Sequence, residues 1–188
     1  MTDALEQHSA TELVASAIPS LLAEMGCPST PELSDAVKRC VAPLRLDAGA
    51  ELMAAGDIAD AAFFVVAGRL EVSIIGIDGS ENVVRRVGRG QLVGEIGLVD
   101  QGVRTATVRA DRDSLLARLD QDDFERIAES HPEFLLGVTR TVVARLVNPE
   151  PPPTTTGTVA VAVAHPDLDV RILTTRLLNT MRANGSAR

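Results

Sequence analysis

The chain has 188 residues, a net charge of −8 and only 2% aromatic residues, with no Trp and no Tyr. That length supports one domain with a real core plus a smaller appendage, packed by Val, Leu, Ile and Ala. The acidic balance argues against a general affinity for nucleic acid or an anionic membrane, while leaving room for a local basic site that takes a small anion.

The opening MTDALEQHSATEL has no basic stretch followed by an apolar run, so no secretory signal is expected. No apolar run approaches the length of a membrane span. Cys27 and Cys40 fit neither a metal spacing nor a disulfide framework and read as free thiols of a cytoplasmic protein. Lys38 is the only Lys among many Arg, a usage that hints at a GC-rich bacterial genome. Residues 1–43 form an N-terminal helical segment: Leu13, Ile18, Leu21, Leu22 and Met25 recur at helical spacing, and a second helix opens at Pro31 and closes near Pro43.

From Leu44 the pattern changes. AAFFVVAG, RLEVSIIGI, ENVVRRVG, RTATVRA and DSLLARL read as five short strands, and Asp78-Gly79 marks a hairpin between two of them. Many short strands with regular turns predict an α+β fold: an antiparallel β-roll, or jelly roll, flanked by N-terminal and C-terminal helices. After Leu119 the period is helical again, and His131-Pro132 divides the segment into two helices. The second carries an apolar stripe of Phe134, Leu135, Val138, Val142, Val143 and Leu146. The main domain is thus expected over 44–147. A Pro-rich linker follows at 148–157, and the strand and helix of 158–188 begin a second, truncated module.

The charged positions of GEIGLVDQGVRTATV, residues 94–108, need a reason. Burying Glu95 and Arg104 in a Gly-spotted turn is costly unless each is paired or binds something. Arg is always charged and its fork matches phosphate oxygens in pairs. Glycines let backbone N–H groups approach an anion, and a helical turn near Ile96 adds donors and a favourable dipole. A carboxylate suits a sugar hydroxyl. Acid and base can therefore read two sides of one small molecule, although a plain salt bridge between them is the simpler alternative.

Gly94, Glu95, Gly97, Leu98, Arg104, Thr105 and Ala106, with supporting glycines at 56, 68, 88 and 90, resemble the phosphate-binding cassette of a cyclic nucleotide-binding domain. The nine-residue separation of Glu95 and Arg104 is like that in regulatory subunits of cyclic-nucleotide-dependent kinases. The resemblance implies that Glu95 holds the ribose 2′-hydroxyl and Arg104 the cyclic phosphate. Amides from Gly94 through Ile96 and Gly97 to Leu98, and at Thr105 or Ala106, complete the cradle. The ligand would be cAMP or cGMP, a choice that Thr105 leaves open. With no Tyr or Trp to stack on a purine, a lid would use Val142 or Leu146, or come from elsewhere.

Arg85, Arg86 and Arg89 read as a solvated hairpin face, and His8, His131 and His165 as turn residues rather than metal ligands. No Gly-x-Ser-x-Gly elbow and no phosphate-cradling Gly-Lys-Ser/Thr loop is present, so no catalytic residue is expected and no metal or other cofactor is implied. The segment after the linker resembles the entry to the catalytic half of patatin-like phospholipases of the neuropathy-target-esterase type. That resemblance implies a regulatory sensor that relays nucleotide binding through its C-terminal helices to a downstream lipid hydrolase of the same polypeptide. Two alternatives stand beside it. One is a domain of this fold that has lost its ligand and mediates protein contacts; the other is the sensor half of a catabolite-activator-type transcription regulator. A homodimer through the C-terminal helix is compatible with each.

Overall fold

The computed structural model describes residues 2–99 and 102–147, which fall within one compact unit, Met1–Thr155. The expected linker at 148–157 and the strand and helix of 158–188 lie outside the described residues. Two helices lead in, α1 (Thr2–Glu24) and α2 (Pro31–Cys40). Thr30 caps α2, its hydroxyl accepting from the Leu33 amide at 3.3 Å, and Pro31 supplies the preset first helical turn. The helix ends at Cys40, not near Pro43. Residues 41–43 instead begin strand β1 (Val41–Leu46), where Pro43 sits opposite Ala117 of the last strand.

The sheet continues with β2 (Glu51–Met53), β3 (Ala61–Ile75), β4 (Glu81–Gly88), β5 (Leu92–Val93) and β6 (Thr107–Asp120). All pairings are antiparallel, in the order β1-β6-β3-β4, with β2 added on β6 and β5 on β3. This is the expected α+β roll with helices at both ends. The Asp78-Gly79 hairpin forms as read: Gly79 has φ 79°, and the Gly76 amide donates to the Ser80 carbonyl at 2.8 Å.

Two pairs of short runs turn out to be single long strands. AAFFVVAG and RLEVSIIGI join in β3, and the last two runs join in β6. Gly68, at φ 101°, lies where the β3–β6 register slips, and a Cβ there would meet the Ser114 Cα at 2.6 Å. The bulge reverses the inward parity of β3. Before it, Ala61, Phe63 and Val65 face the roll interior; after it, Leu70 and Val72 do.

The opposite face of β3 explains why AAFFVV is apolar without interruption. Ala62, Phe64 and Val66 pack under α1, α2, α4 (Gln121–Ser130) and α5 (Pro132–Val147). Phe134 and Val138 of α5 belong to this second core, and Phe134 meets Phe124 edge-on with ring centroids 5.5 Å apart. The expected α5 stripe is narrower than its sequence pattern: Leu135 and Val143 are exposed, while the Leu146 side chain lies outside the described ones. Gly137 lets α5 close on the α1–α2 linker, since a Cβ there would overlap the Cys27 sulfur at 2.1 Å.

Candidate functional site

Chain geometry brings the cassette together. After β5, Gly94 at φ 85° turns the backbone into a five-residue helix, α3 (Glu95–Val99). A side chain at 94 would also strike Arg104 Nη1 at 2.7 Å and the Ala61 carbonyl at 3.1 Å, so glycine is required for conformation and for space. The returning segment is pinned to residues 56–59. The Arg104 amide donates to the Asp57 carbonyl at 2.7 Å, the Gly56 amide to the Arg104 carbonyl at 2.9 Å, and Ile58 and Val103 form an isolated bridge.

Glu95 is 1% exposed and Arg104 4%. The salt bridge between them, the simpler alternative from the sequence, does not form; each has a different partner. Arg104 Nη1 donates to the Ala61 carbonyl at 2.7 Å and to the Gly94 carbonyl at 3.0 Å, and Nη2 donates to Asp60 Oδ1 at 2.8 Å. A guanidinium has five N–H donors, so these three bonds do not exhaust it. Asp60 also accepts from Arg118 Nη2 at 3.0 Å. The guanidinium carbons of Arg104 and Arg118 lie 5.9 and 6.0 Å from the Phe63 ring centroid. Burial would raise the Asp60 carboxyl, but the Arg118 guanidinium and a hydrogen bond from its own backbone, with Arg104 adding to them, hold it below the usual range. Glu95 Oε1 accepts from Arg145 Nη1 of α5, and Arg145 Nη2 donates to the Leu92 carbonyl.

A pocket opens to solvent beside this pair. Of the residues singled out in the sequence, Gly94, Glu95, Ile96, Gly97, Arg104, Thr105 and Ala106 line it. Leu98 does not; it is buried in the core beneath the helices, where it fixes α3 against them. The rest of the lining is apolar, from Met53, Val72, Val93 and Val108, with one further charged side chain, Arg85. The reading of residues 85–89 as a solvated face therefore needs correction at Arg85. Arg86 does lie outside, bonded to Glu71. Arg85 has the inward parity of Val87, which is buried in the roll interior.

Asp60 and Arg145 carried no local signal, lying 44 and 50 residues from the groups they hold. The parity of Arg85 with Val87 was a signal for Arg85, but it does not extend to Val83, because a bulge between 83 and 85 sets Val84 against the interior core. Among the described residues no group of side chains could hold a metal, and no helix is long and apolar enough to cross a membrane.

Residues 43–131 match the family model of the cyclic nucleotide-binding domain. A lysophospholipase of Aspergillus terreus is 34% identical over 103 residues, which is 55% of this chain and 7% of that protein. The chain thus spans less than a tenth of the length of that relative. Among solved structures, the regulatory domain of Toxoplasma gondii PKA with cAMP is 27% identical at a TM-score of 0.56, covering 60% of this chain and 44% of that one. The N-terminal domain of a transcriptional regulator from Streptomyces coelicolor is 30% identical at 0.53, covering 63% and 84%.

Proposed function

Since residues 43–131 belong to the cyclic nucleotide-binding domain family, we propose that this roll binds a cyclic nucleoside monophosphate, cAMP or cGMP, and acts as a regulatory sensor. The observation that carries the reading is that Glu95 and Arg104 are buried side by side in the pocket without pairing with each other. Each is held rigid by a separate partner. Arg104 is pinned through Nη1 to two carbonyls and through Nη2 to Asp60, which leaves its Nε–H and one Nη2 hydrogen as donors. The phosphate then accepts from Arg104 and from the first amides of α3, which lack partners within so short a helix. Glu95 accepts from the ribose hydroxyl. The purine leaves the cassette toward Val72 and Arg85.

The output of this sensor is a lipid hydrolase elsewhere in a longer polypeptide. The similarity to a lysophospholipase supports that. The signal passes through α4 and α5, because Leu98 of the cassette packs in the same core as Phe124, Ile127, Phe134 and Val138. A shift of α3 toward the phosphate therefore has to be accommodated by those helices, provided the ligand favours one of two arrangements. Leu136, Val143 and Val147 remain exposed on α5, which supports pairing of that helix with a second copy in a homodimer.

One observation favours a second reading. Asp60 and Arg145 already satisfy the two charged groups from within the chain, as they would in a domain that has lost its ligand and only mediates contacts. Calorimetric titration separates the two. The sensor reading expects saturable one-site binding of cAMP or cGMP and none of 5′-AMP, whose phosphate is an open dianion. Heats at dilution level for both cyclic nucleotides would leave the contact module.

A further inference from the structure

Arg145 is the one α5 side chain that the described contacts bring into the cassette, and it reaches the acid rather than the pocket floor. It does two things at once. Nη1 donates to Glu95 Oε1, and Nη2 to the backbone carbonyl of Leu92, three residues before Glu95. Two fixed points orient a guanidinium, and an oriented guanidinium orients the carboxylate that accepts from it. A carboxylate has a second oxygen, here Oε2. Glu95 is 1% exposed, so its orientation is set by the groups packed around it.

Resting on the reading of the pocket as a cyclic nucleotide site, we infer that Arg145 is a positioning residue that sets selectivity for the ribose 2′-hydroxyl. It holds Glu95 turned so that Oε2 receives that hydroxyl. Recognition of ribose thereby depends on where α5 lies. Competition is the opposite role, in which Arg145 must leave before the sugar can bind. The second anchor on Leu92 argues for positioning, because that bond does not depend on Glu95 and persists when the sugar arrives.

The test uses the whole 188-residue chain and four ligands: cAMP, cGMP and their 2′-deoxy forms. Wild type should prefer the ribo ligand over its 2′-deoxy counterpart by about ten- to a hundredfold, the worth of a hydrogen bond to a charged group. Arg145→Ala should weaken the ribo ligand, barely change the 2′-deoxy ligand, and bring the preference below about threefold. Arg145→Lys, which keeps the charge but not the fork, should restore part of the preference. A merely structural role would weaken both ligands alike and keep their ratio, and competition would strengthen the ribo ligand. Either result overturns the inference and leaves the nucleotide site standing. If wild type binds none of the four, both fall. Circular dichroism and the 2′-deoxy affinity together report whether each variant is folded.

Discussion

Arg104→Ala is expected to weaken cyclic nucleotide binding by at least about a hundredfold, close to 3 kcal/mol. On the proposed reading the substitution removes the buried cation that takes the phosphate, and Arg85 is the remaining cation of the pocket lining. Asp60 would remain, and with Arg104 gone its carboxylate faces the incoming anion with only Arg118 to balance it. The fold should tolerate the change at a smaller cost. The carbonyls of Ala61 and Gly94 lose a donor, worth about 1–3 kcal/mol if no water replaces it. Arg104→Lys separates charge from shape: it should recover only part of the affinity, since an ammonium cannot hold two carbonyls and a phosphate in one plane. Calorimetry on the three proteins measures the ratio, and unchanged affinity in Arg104→Ala would mean that the anion sits elsewhere.

Phe134→Ala is expected to be the most damaging single change to stability among those considered. The ring is fully buried, packs edge-on against Phe124 and anchors α5 over the core shared with α1 and β3. Large-to-small changes at such aromatic sites cost about 3–5 kcal/mol through lost burial and the cavity left behind. For a unit of this size that is a fall of roughly 10 °C in Tm. Val143→Ala on the same helix is the control. Val143 is 49% exposed, so its loss should stay within about 0.5 kcal/mol. Thermal unfolding followed by circular dichroism compares the two. If Phe134→Ala melts with wild type, α5 is not held by this contact, and the route from Leu98 to the C-terminal helices loses its anchor.

Much of the architecture was legible because its signals are local. Asp78-Gly79 forces a hairpin wherever it lies between apolar runs, and His131-Pro132 ends one helix and starts the next. Gly68 shows where local reading fails. A glycine between two apolar runs looks like a turn, yet here it is a bulge inside one continuous strand. Only the partner strand, with Ser114 pressed against it, distinguishes the two. Val41–Pro43 failed for a related reason: a proline near the end of a helical pattern reads as its last residue, whereas pairing with β6 draws the segment into the sheet.

The cassette was legible in part. Glu95, Arg104 and the glycines between strand and helix form a compact string whose chemistry can be read residue by residue. Leu98 belongs to the same string but points into the core, because α3 presents one face to the pocket and the other to the helices. Asp60 and Arg145 could not be read, since nothing near either of them in sequence indicates that it holds a cassette residue. They are nonetheless what turns two costly buried charges into an arranged pair. Arg85 lay between these cases. Its parity with Val87 was visible, but the nearby acids Asp78 and Glu81 made all three look solvated.

The central claim is that the Arg104 guanidinium, held by the Ala61 and Gly94 carbonyls, receives a cyclic phosphate. The most direct measurement is the Nε–H resonance of Arg104 in ¹⁵N-labelled protein, assigned by its disappearance in Arg104→Lys and followed during titration with cAMP and cGMP. The account predicts a downfield shift of that proton that saturates with the same dissociation constant as calorimetry gives. A nucleotide that saturates the protein while this signal stays in place would contradict it.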